Sequence, residues 1–314
     1  MSFNDLQFRN RKDHLNRILD LSLDQLRNDR ETVDQQRFKK NRIQKSLFQS
    51  DDYGYKLGQK IKNCKKQTDD NKSEVCQSLW CPNCRKTVSD LYFKKITNRI
   101  SDQSYQNKDF KHISGYVGLC NLDFDQLNKM IKDDGTYNWR KIRRRFDQLE
   151  SNKNKFIESI YEFELVDWTF LQRSIGSDYK KKQIKQMMEF HRSNGDQLDN
   201  KFLFVHYHSI TNLTKKEIRT VCGNNYYFNE KPLIKTDQLS GLFVQRFYET
   251  NPLPYNLTKL TSYPFKNPYR YKHSFIGSDH KNGEYFEEED LSKLISIYQK
   301  IQKRSWRGLF RSVN

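Results

Sequence analysis

Apolar residues recur along the chain in two rhythms, roughly every third or fourth position and every second position, and these lay out the elements. Leu15, Ile18, Leu19 and Leu26 fall near helical spacing within residues 1–45, a stretch otherwise polar and charged, and predict a helix. Arg37, Lys39, Lys40, Arg42 and Lys45 follow as a basic run, to be read either as a solvated helix face or as a DNA-contacting arm. Val88 to Ile100 reads as a helix with a mixed stripe of Leu91, Tyr92, Lys95, Ile96 and Ile100. His112 to Leu122 reads as a strand, with Ile113, Tyr116, Val117 and Leu119 apolar and glycines between them. A helix is expected from Phe124 to Leu149, holding Leu127, Met130 and Ile131 and then the basic patch Arg140, Lys141, Arg143, Arg144 and Arg145.

Residues 156–168 alternate apolar and polar in the manner of a strand. A basic connector, Lys180 to Arg192, leads to a further strand, Lys201 to Ile210, and Thr214 to Val221 reads as a short helix. The last third is expected to be aromatic-rich loop around one short helical stretch near Tyr255. The C-terminal segment is an amphipathic helix: Glu287, Glu288, Glu289 and Asp290 open it, Leu291, Leu294, Ile295, Tyr298 and Ile301 form its stripe, and Lys300, Lys303 and Arg304 close it. Acids first and bases last suit the helix dipole. Strands separated by helices predict an α+β fold with a central, mostly antiparallel sheet and flanking helices. The expected division is a basic N-terminal helical region over 1–60, a cysteine module over 61–95, the sheet-bearing domain over 96–285 and the C-terminal helix over 286–314.

Composition changes this picture in two ways. Only 35% of residues are hydrophobic but 14% are aromatic, so phenylalanines and tyrosines must fill the core. The net charge of +18 repels itself unless a polyanion offsets it, and nucleic acid is the commonest such partner. An anionic membrane surface is the rival, but no apolar run approaches the roughly 20 residues needed to span a bilayer. The opening Met1-Ser2-Phe3-Asn4-Asp5 lacks a basic region followed by an apolar stretch, so no secretory signal is read and a cytoplasmic location is expected.

Of the six cysteines, Cys64, Cys76, Cys81 and Cys84 cluster, while Cys120 and Cys222 stand alone. Cys81-Pro-Asn-Cys84 makes a tight turn that points two thiolates at one place, and four thiolates close a tetrahedral zinc site. The polar loop Lys65 to Val75 has no core of its own and needs such a staple. A redox pair of Cys81 and Cys84 is the competing reading, but the βαβ context of such motifs is missing. With four sulfur ligands the zinc would be structural.

His206-Tyr-His208 lies on the predicted strand, and residues two apart on a strand point to one face, so both imidazoles can offer a nitrogen to one ion. The plainer reading is two ordinary histidines on a solvated face. On the strand at 156–168, alternation puts Glu158, Glu162 and Glu164 on one face, where an oxygen ligand would complete a site for Mg²⁺ or Mn²⁺. Glu164 is the expected ligand and Glu162 the second choice. Further on, Asn251 can cap a helix beginning at Pro252, which places Tyr255 and Lys259 one turn apart on one face. A phenol needs a nearby cation or metal to ionise readily, and a phosphodiester under attack needs its charge neutralised. A half-buried tyrosine beside a snorkelling lysine would look the same.

The order of these pieces resembles the replication initiators of small rolling-circle plasmids, members of the HUH endonuclease superfamily. The resemblance runs from about Cys64 to Lys259 and is strongest over Cys76–Arg85, Phe156–Val166 and Phe202–Ile210. It implies a nuclease domain whose antiparallel sheet carries the two histidines, with a helix presenting Tyr255. It also implies a reaction. Tyr255 attacks one phosphodiester of single-stranded origin DNA, leaving a 5′-phosphotyrosyl enzyme and a 3′-OH primer. His206, His208 and Glu164 hold the divalent metal, and a host helicase and polymerase act as partners. The chain departs from the family pattern where a glutamate commonly precedes the tyrosine by three or four residues: Asn251 and Pro252 stand there, and Glu249 lies further off. Tyr263 and Tyr269 are rival nucleophiles. Two other functions share these features: a non-enzymatic zinc-containing nucleic-acid-binding protein, and a transposase or plasmid-mobilisation nuclease.

Overall fold

A computed structural model describes residues 33–64, 75–76, 78–101, 111–132, 139–173, 179–222, 226–228, 241–246, 286–302 and 310–313. Within them the fold is α+β. Its centre is a six-stranded sheet formed by β1 (Lys111–Asn121), β2 (Ile157–Asp167), β3 (Lys201–Thr211), β4 (Tyr226–Phe228), β5 (Gly241–Arg246) and β6 (Phe310–Val313), in the order β4-β5-β1-β3-β2-β6. All neighbours pair antiparallel except β4 with β5. β1, β2 and β3 therefore lie side by side, with β3 between the other two.

The alternation expected on these strands is real, but both faces are covered, so β2 is buried at every position. One face of the sheet carries Tyr161, Phe163, Leu165, Leu203, Val205 and Tyr207, and joins a core that includes residues from the N-terminal helices, the cysteine module and the C-terminal helix. The other face carries Val166, Phe202 and Phe204, which pack with Leu119 against Trp168, Leu171, Ile184, Met187 and Met188. The side chains of the second group come from α6 (Trp168–Arg173) and α7 (Tyr179–Ser193). Lys180 to Arg192 is thus a helix and not a connector: Ile184, Met187 and Met188 recur at helical spacing and are buried, while Lys185 is exposed.

Before the sheet come α1 (Val33–Phe48), α2 (Asp52–Asn63) and α3 (Pro82–Ser101). Asp51 caps α2 by accepting from the Gly54 amide at 2.8 Å. The basic run of α1 is partly engaged at the start of the C-terminal helix α9 (Glu288–Gln302): Arg42 donates at 2.6 Å to the carbonyl of Phe286, just before the helix, and Lys45 pairs with Glu288 at 2.5 Å. The helix expected over Leu15 to Leu26 lies outside the described residues. Among the described residues, the stretch expected to be one helix from Phe124 to Leu149 holds two, α4 (Phe124–Lys132) and α5 (Trp139–Asp147). α8 (Lys215–Cys222) begins on a capping box, in which the Thr214 amide donates to Glu217 Oε2 at 2.7 Å and the Glu217 amide to Thr214 Oγ1 at 3.3 Å.

α9 closes the outer edge of β2. β6 pairs with β2 only over Ile157 to Ile160. Beyond it, the Tyr298 hydroxyl accepts from the Phe163 amide at 3.1 Å and reaches the Phe163 carbonyl at 3.3 Å. One side chain thereby satisfies edge groups that a strand would otherwise pair. Trp80 of the cysteine module packs edge-on against the same tyrosine, with ring centroids 5.6 Å apart. Among the described residues, no helix is long and apolar enough to cross a membrane.

Candidate metal centres

The register of β2 on β3 decides the first site. Glu162 pairs with His206, Ile160 with His208 and Glu164 with Phe204. Side chains opposite one another share a face, so both carboxylates and both imidazoles emerge on the same side of the sheet. Glu162, His206 and His208 bring one ligand atom each within 4.8 Å of one another. His208 Nε2 lies 2.9 Å from Glu162 Oε2. His206 Nε2 faces two carboxylates, Glu162 Oε2 at 3.6 Å and Glu164 Oε1 at 3.7 Å. Both separations exceed hydrogen-bond length, so this nitrogen addresses two anions without bonding either. Two imidazole nitrogens and one or two carboxylate oxygens are a donor set that can hold a divalent metal ion.

Burial sharpens the electrostatics. Glu162, Glu164 and His206 are each less than a twentieth exposed. Burial alone would raise the pKa of Glu162, but the charge of His206 and the hydrogen bond from His208 outweigh it, and the carboxyl is held below its ordinary value. Two buried carboxylates side by side need positive charge nearby, and protonated histidine or a bound cation supplies it. The same surroundings act oppositely on Tyr298, whose pKa burial and the Glu162 carboxylate push well up. Its phenol therefore stays protonated on its β2 edge.

The glutamates of β2 divide by partner. Glu158, fully buried, is held by Arg99 at 2.5 Å, Lys95 at 3.0 Å and the Ser312 hydroxyl at 2.5 Å. Its carboxylate is a fastening between α3, β2 and β6. Glu162 stands between both histidines, whereas Glu164 approaches His206. The expected ligand Glu164 therefore lies beside the group of three, and Glu162, the second choice, lies within it.

One residue escaped the sequence reading. His112 of β1 lies on the other side of β3, its Nε2 3.1 Å from His208 Nδ1. No spacing motif links positions 112 and 208; only the strand order β1-β3-β2 brings them together.

The second site is the cysteine cluster. Cys64 ends α2, Cys81 and Cys84 open α3, and Cys76 lies just before them. All four sulfurs fall within 4.8 Å of one another, with Cys84 Sγ 3.5 Å from Cys64 Sγ and 3.4 Å from Cys76 Sγ. These are non-bonded distances, and the cysteines are free thiols. Neighbouring S–H groups aimed at Cys81 pull its pKa down, while the same contacts, with burial, drive that of Cys76 up. Sulfurs converging in this way share negative charge, as the ligands of one cation do.

On α5, Arg140, Lys141, Arg143, Arg144 and Arg145 are exposed while Ile142 and Phe146 are buried, so the helix fastens by one face and offers a basic one. Tyr255 and Lys259, with the rivals Tyr263 and Tyr269, lie outside the described residues.

Comparison of the chain with family models, with curated proteins and with solved structures finds no match.

Proposed function

We propose that this protein is a metal-dependent DNA endonuclease and strand transferase that initiates rolling-circle replication, using Tyr255 as its nucleophile. The observation that carries the reading is the buried group of Glu162, His206 and His208 on adjacent antiparallel strands. Those three residues, with Glu164 beside His206, would hold Mg²⁺ or Mn²⁺. The ion's contribution is positive charge against the non-bridging oxygens of the scissile phosphate.

The remaining steps belong to the chain. The Tyr255 phenolate attacks phosphorus, a Tyr–O–P bond forms and the bond to the 3′ oxygen breaks. That oxygen takes up a proton and leaves as the 3′-OH primer. The phosphodiester character survives in the 5′-phosphotyrosyl link, so a later 3′-OH can reverse the step without ATP. Lys259, one helical turn from Tyr255 in the expected helix, offsets charge on the phosphate. The exposed basic face of α5 supports a nucleic-acid substrate, since its cations contact phosphates without reading bases. The Cys64, Cys76, Cys81 and Cys84 site would take structural Zn²⁺ and fix the start of α3, whose Lys95 and Arg99 grip β2 through Glu158.

The test is to trap the covalent species. The protein is incubated with single-stranded oligonucleotides of random sequence and Mn²⁺, and the adduct is digested and analysed by mass spectrometry. A nucleotide on Tyr255 is the expected result. A nucleotide on Tyr263, Tyr269 or another residue would move the nucleophile.

A further inference from the structure

We infer that His112 is a positioning residue for the metal centre: it sets which nitrogen of His208 carries the proton, and so which nitrogen is free to bind metal. This rests on the metal-site reading above and deepens it.

The geometry is specific. His112 Nε2 and His208 Nδ1 are 3.1 Å apart. The ring planes are within 10° of parallel, yet the centroids are 5.3 Å apart. The centroid separation exceeds the nitrogen separation by about one ring width, so the imidazoles meet edge to edge in nearly one plane. That is the arrangement of an N–H···N hydrogen bond, in which the lone pair lies in the plane of its ring. On the opposite edge, His208 Nε2 lies 2.9 Å from Glu162 Oε2. The three side chains thus form a line from β1 through β3 to β2.

Each ring nitrogen in that line has one consistent role in each state. With both rings neutral and His208 Nε2–H donating to Glu162, Nδ1 would accept from His112 Nε2–H. Were His208 Nε2 to hold an ion, Nδ1 would carry the proton and donate to His112 Nε2. The change is a paired tautomer switch. His208 loses its Nε2 proton to solvent and takes the Nε2 proton of His112 on Nδ1, while His112 gains a proton from solvent on its own Nδ1. Between those two neutral states no proton is gained or lost overall. A histidine ligand generally needs its second nitrogen held by an acceptor, and losing such an acceptor typically weakens metal binding by about 10- to 100-fold. Here the acceptor is another histidine, which can reverse its role, whereas a backbone carbonyl can only accept.

Mn²⁺ binding to the purified protein, followed by the electron paramagnetic resonance of free Mn²⁺, tests this without recourse to activity. His112→Phe keeps the ring and removes both nitrogens, and its affinity should fall by about 10- to 100-fold. His112→Gln, whose amide can accept or donate, should recover most of the loss. A Phe variant that binds as tightly as wild type, or a Gln variant as weak as the Phe variant, overturns the positioning role. Wild type that binds no Mn²⁺, or binding indifferent to His206→Ala, overturns the metal site itself. A second measurement needs no variant: long-range ¹H–¹⁵N spectra of the histidine rings with saturating Mg²⁺. The proton is expected on Nδ1 of both His208 and His112, and a proton on His208 Nε2 in the metal-bound state overturns the proposal.

Discussion

Glu162 and His206 pair directly across the β2–β3 ladder, and the carboxylate approaches the imidazole to 3.6 Å without closing a hydrogen bond. A buried acid and a buried base at that distance would ordinarily draw together. Both are instead fixed by their strands, with Glu162 bonded to His208 and Glu164 a second anion on His206. Glu162, His206 and His208 together could hold a metal ion, and three features away from that group can be tested by measurement.

The cysteine cluster should bind about one equivalent of zinc. Elemental analysis of purified protein measures it. Cys81→Ser should lose the metal and destabilise the protein, because α3 begins at this cluster and also carries the cations that hold Glu158. Metal-free protein whose four thiols titrate freely while the fold is intact would contradict the assignment.

The strand bearing the histidines depends on a glycine of its neighbour. A Cβ built on Gly115 would overlap Cζ, Cε1 and the hydroxyl of Tyr207, the residue between His206 and His208. Gly115→Ala should therefore destabilise by about 1–3 kcal/mol, the usual range for overpacking. Combining it with Tyr207→Ala should cost less than the sum of the two single changes, because removing the ring removes the overlap. Chemical denaturation of the four proteins reads this directly, and strict additivity would show that the overlap is relieved elsewhere.

How much of this was legible from the chain alone depends on the range of the interactions. β2 and β3 are legible to within a residue or two because alternation is local, and it puts Glu162 with Glu164 on one face of their strand and His206 with His208 on one face of theirs. Which glutamate meets the histidines did not follow, since that is a matter of register between strands about forty residues apart. His112 was invisible for the same reason. The helix over Lys180–Arg192 is hard to read from the sequence because its charge is dense and its buried stripe sparse: Ile184, Met187 and Met188 face the sheet among many lysines. The short β4, β5 and β6 carry too few residues for any period to show. The cysteine cluster was legible because its last two members are fixed by a local turn.

The capping box at α8 gives an acid-side signature. The Glu217 carboxyl is held down to about 2: burial opposes ionisation, but hydrogen bonds from Ser151 and from the Thr214 amide and hydroxyl, with the charge of Lys155, outweigh it. A depressed carboxyl stabilises the fold above its unfolded pKa, about 4.3, and that stability is lost as pH falls toward 2. The melting temperature of Glu217→Gln should thus lie below wild type at pH 7, with the gap narrowing below about pH 4. A gap independent of pH would mean that the ionised carboxylate contributes nothing beyond packing. Thr214→Ala, which removes the other half of the box, should cost about 1 kcal/mol.

If the β2–β3 site supports cleavage through a protein–DNA bond, one gel reveals it. Wild type and His206→Ala are each incubated with labelled single-stranded oligonucleotides, with Mn²⁺ or with chelator, and resolved under denaturing conditions beside a native binding assay. A shifted covalent species is expected only for wild type with Mn²⁺, and DNA binding is expected in both proteins, because the α5 cations lie apart from His206 and His208 in sequence and on a different element. DNA bound by both proteins with no covalent species under any condition would contradict it and leave a zinc-containing nucleic-acid-binding protein in its place.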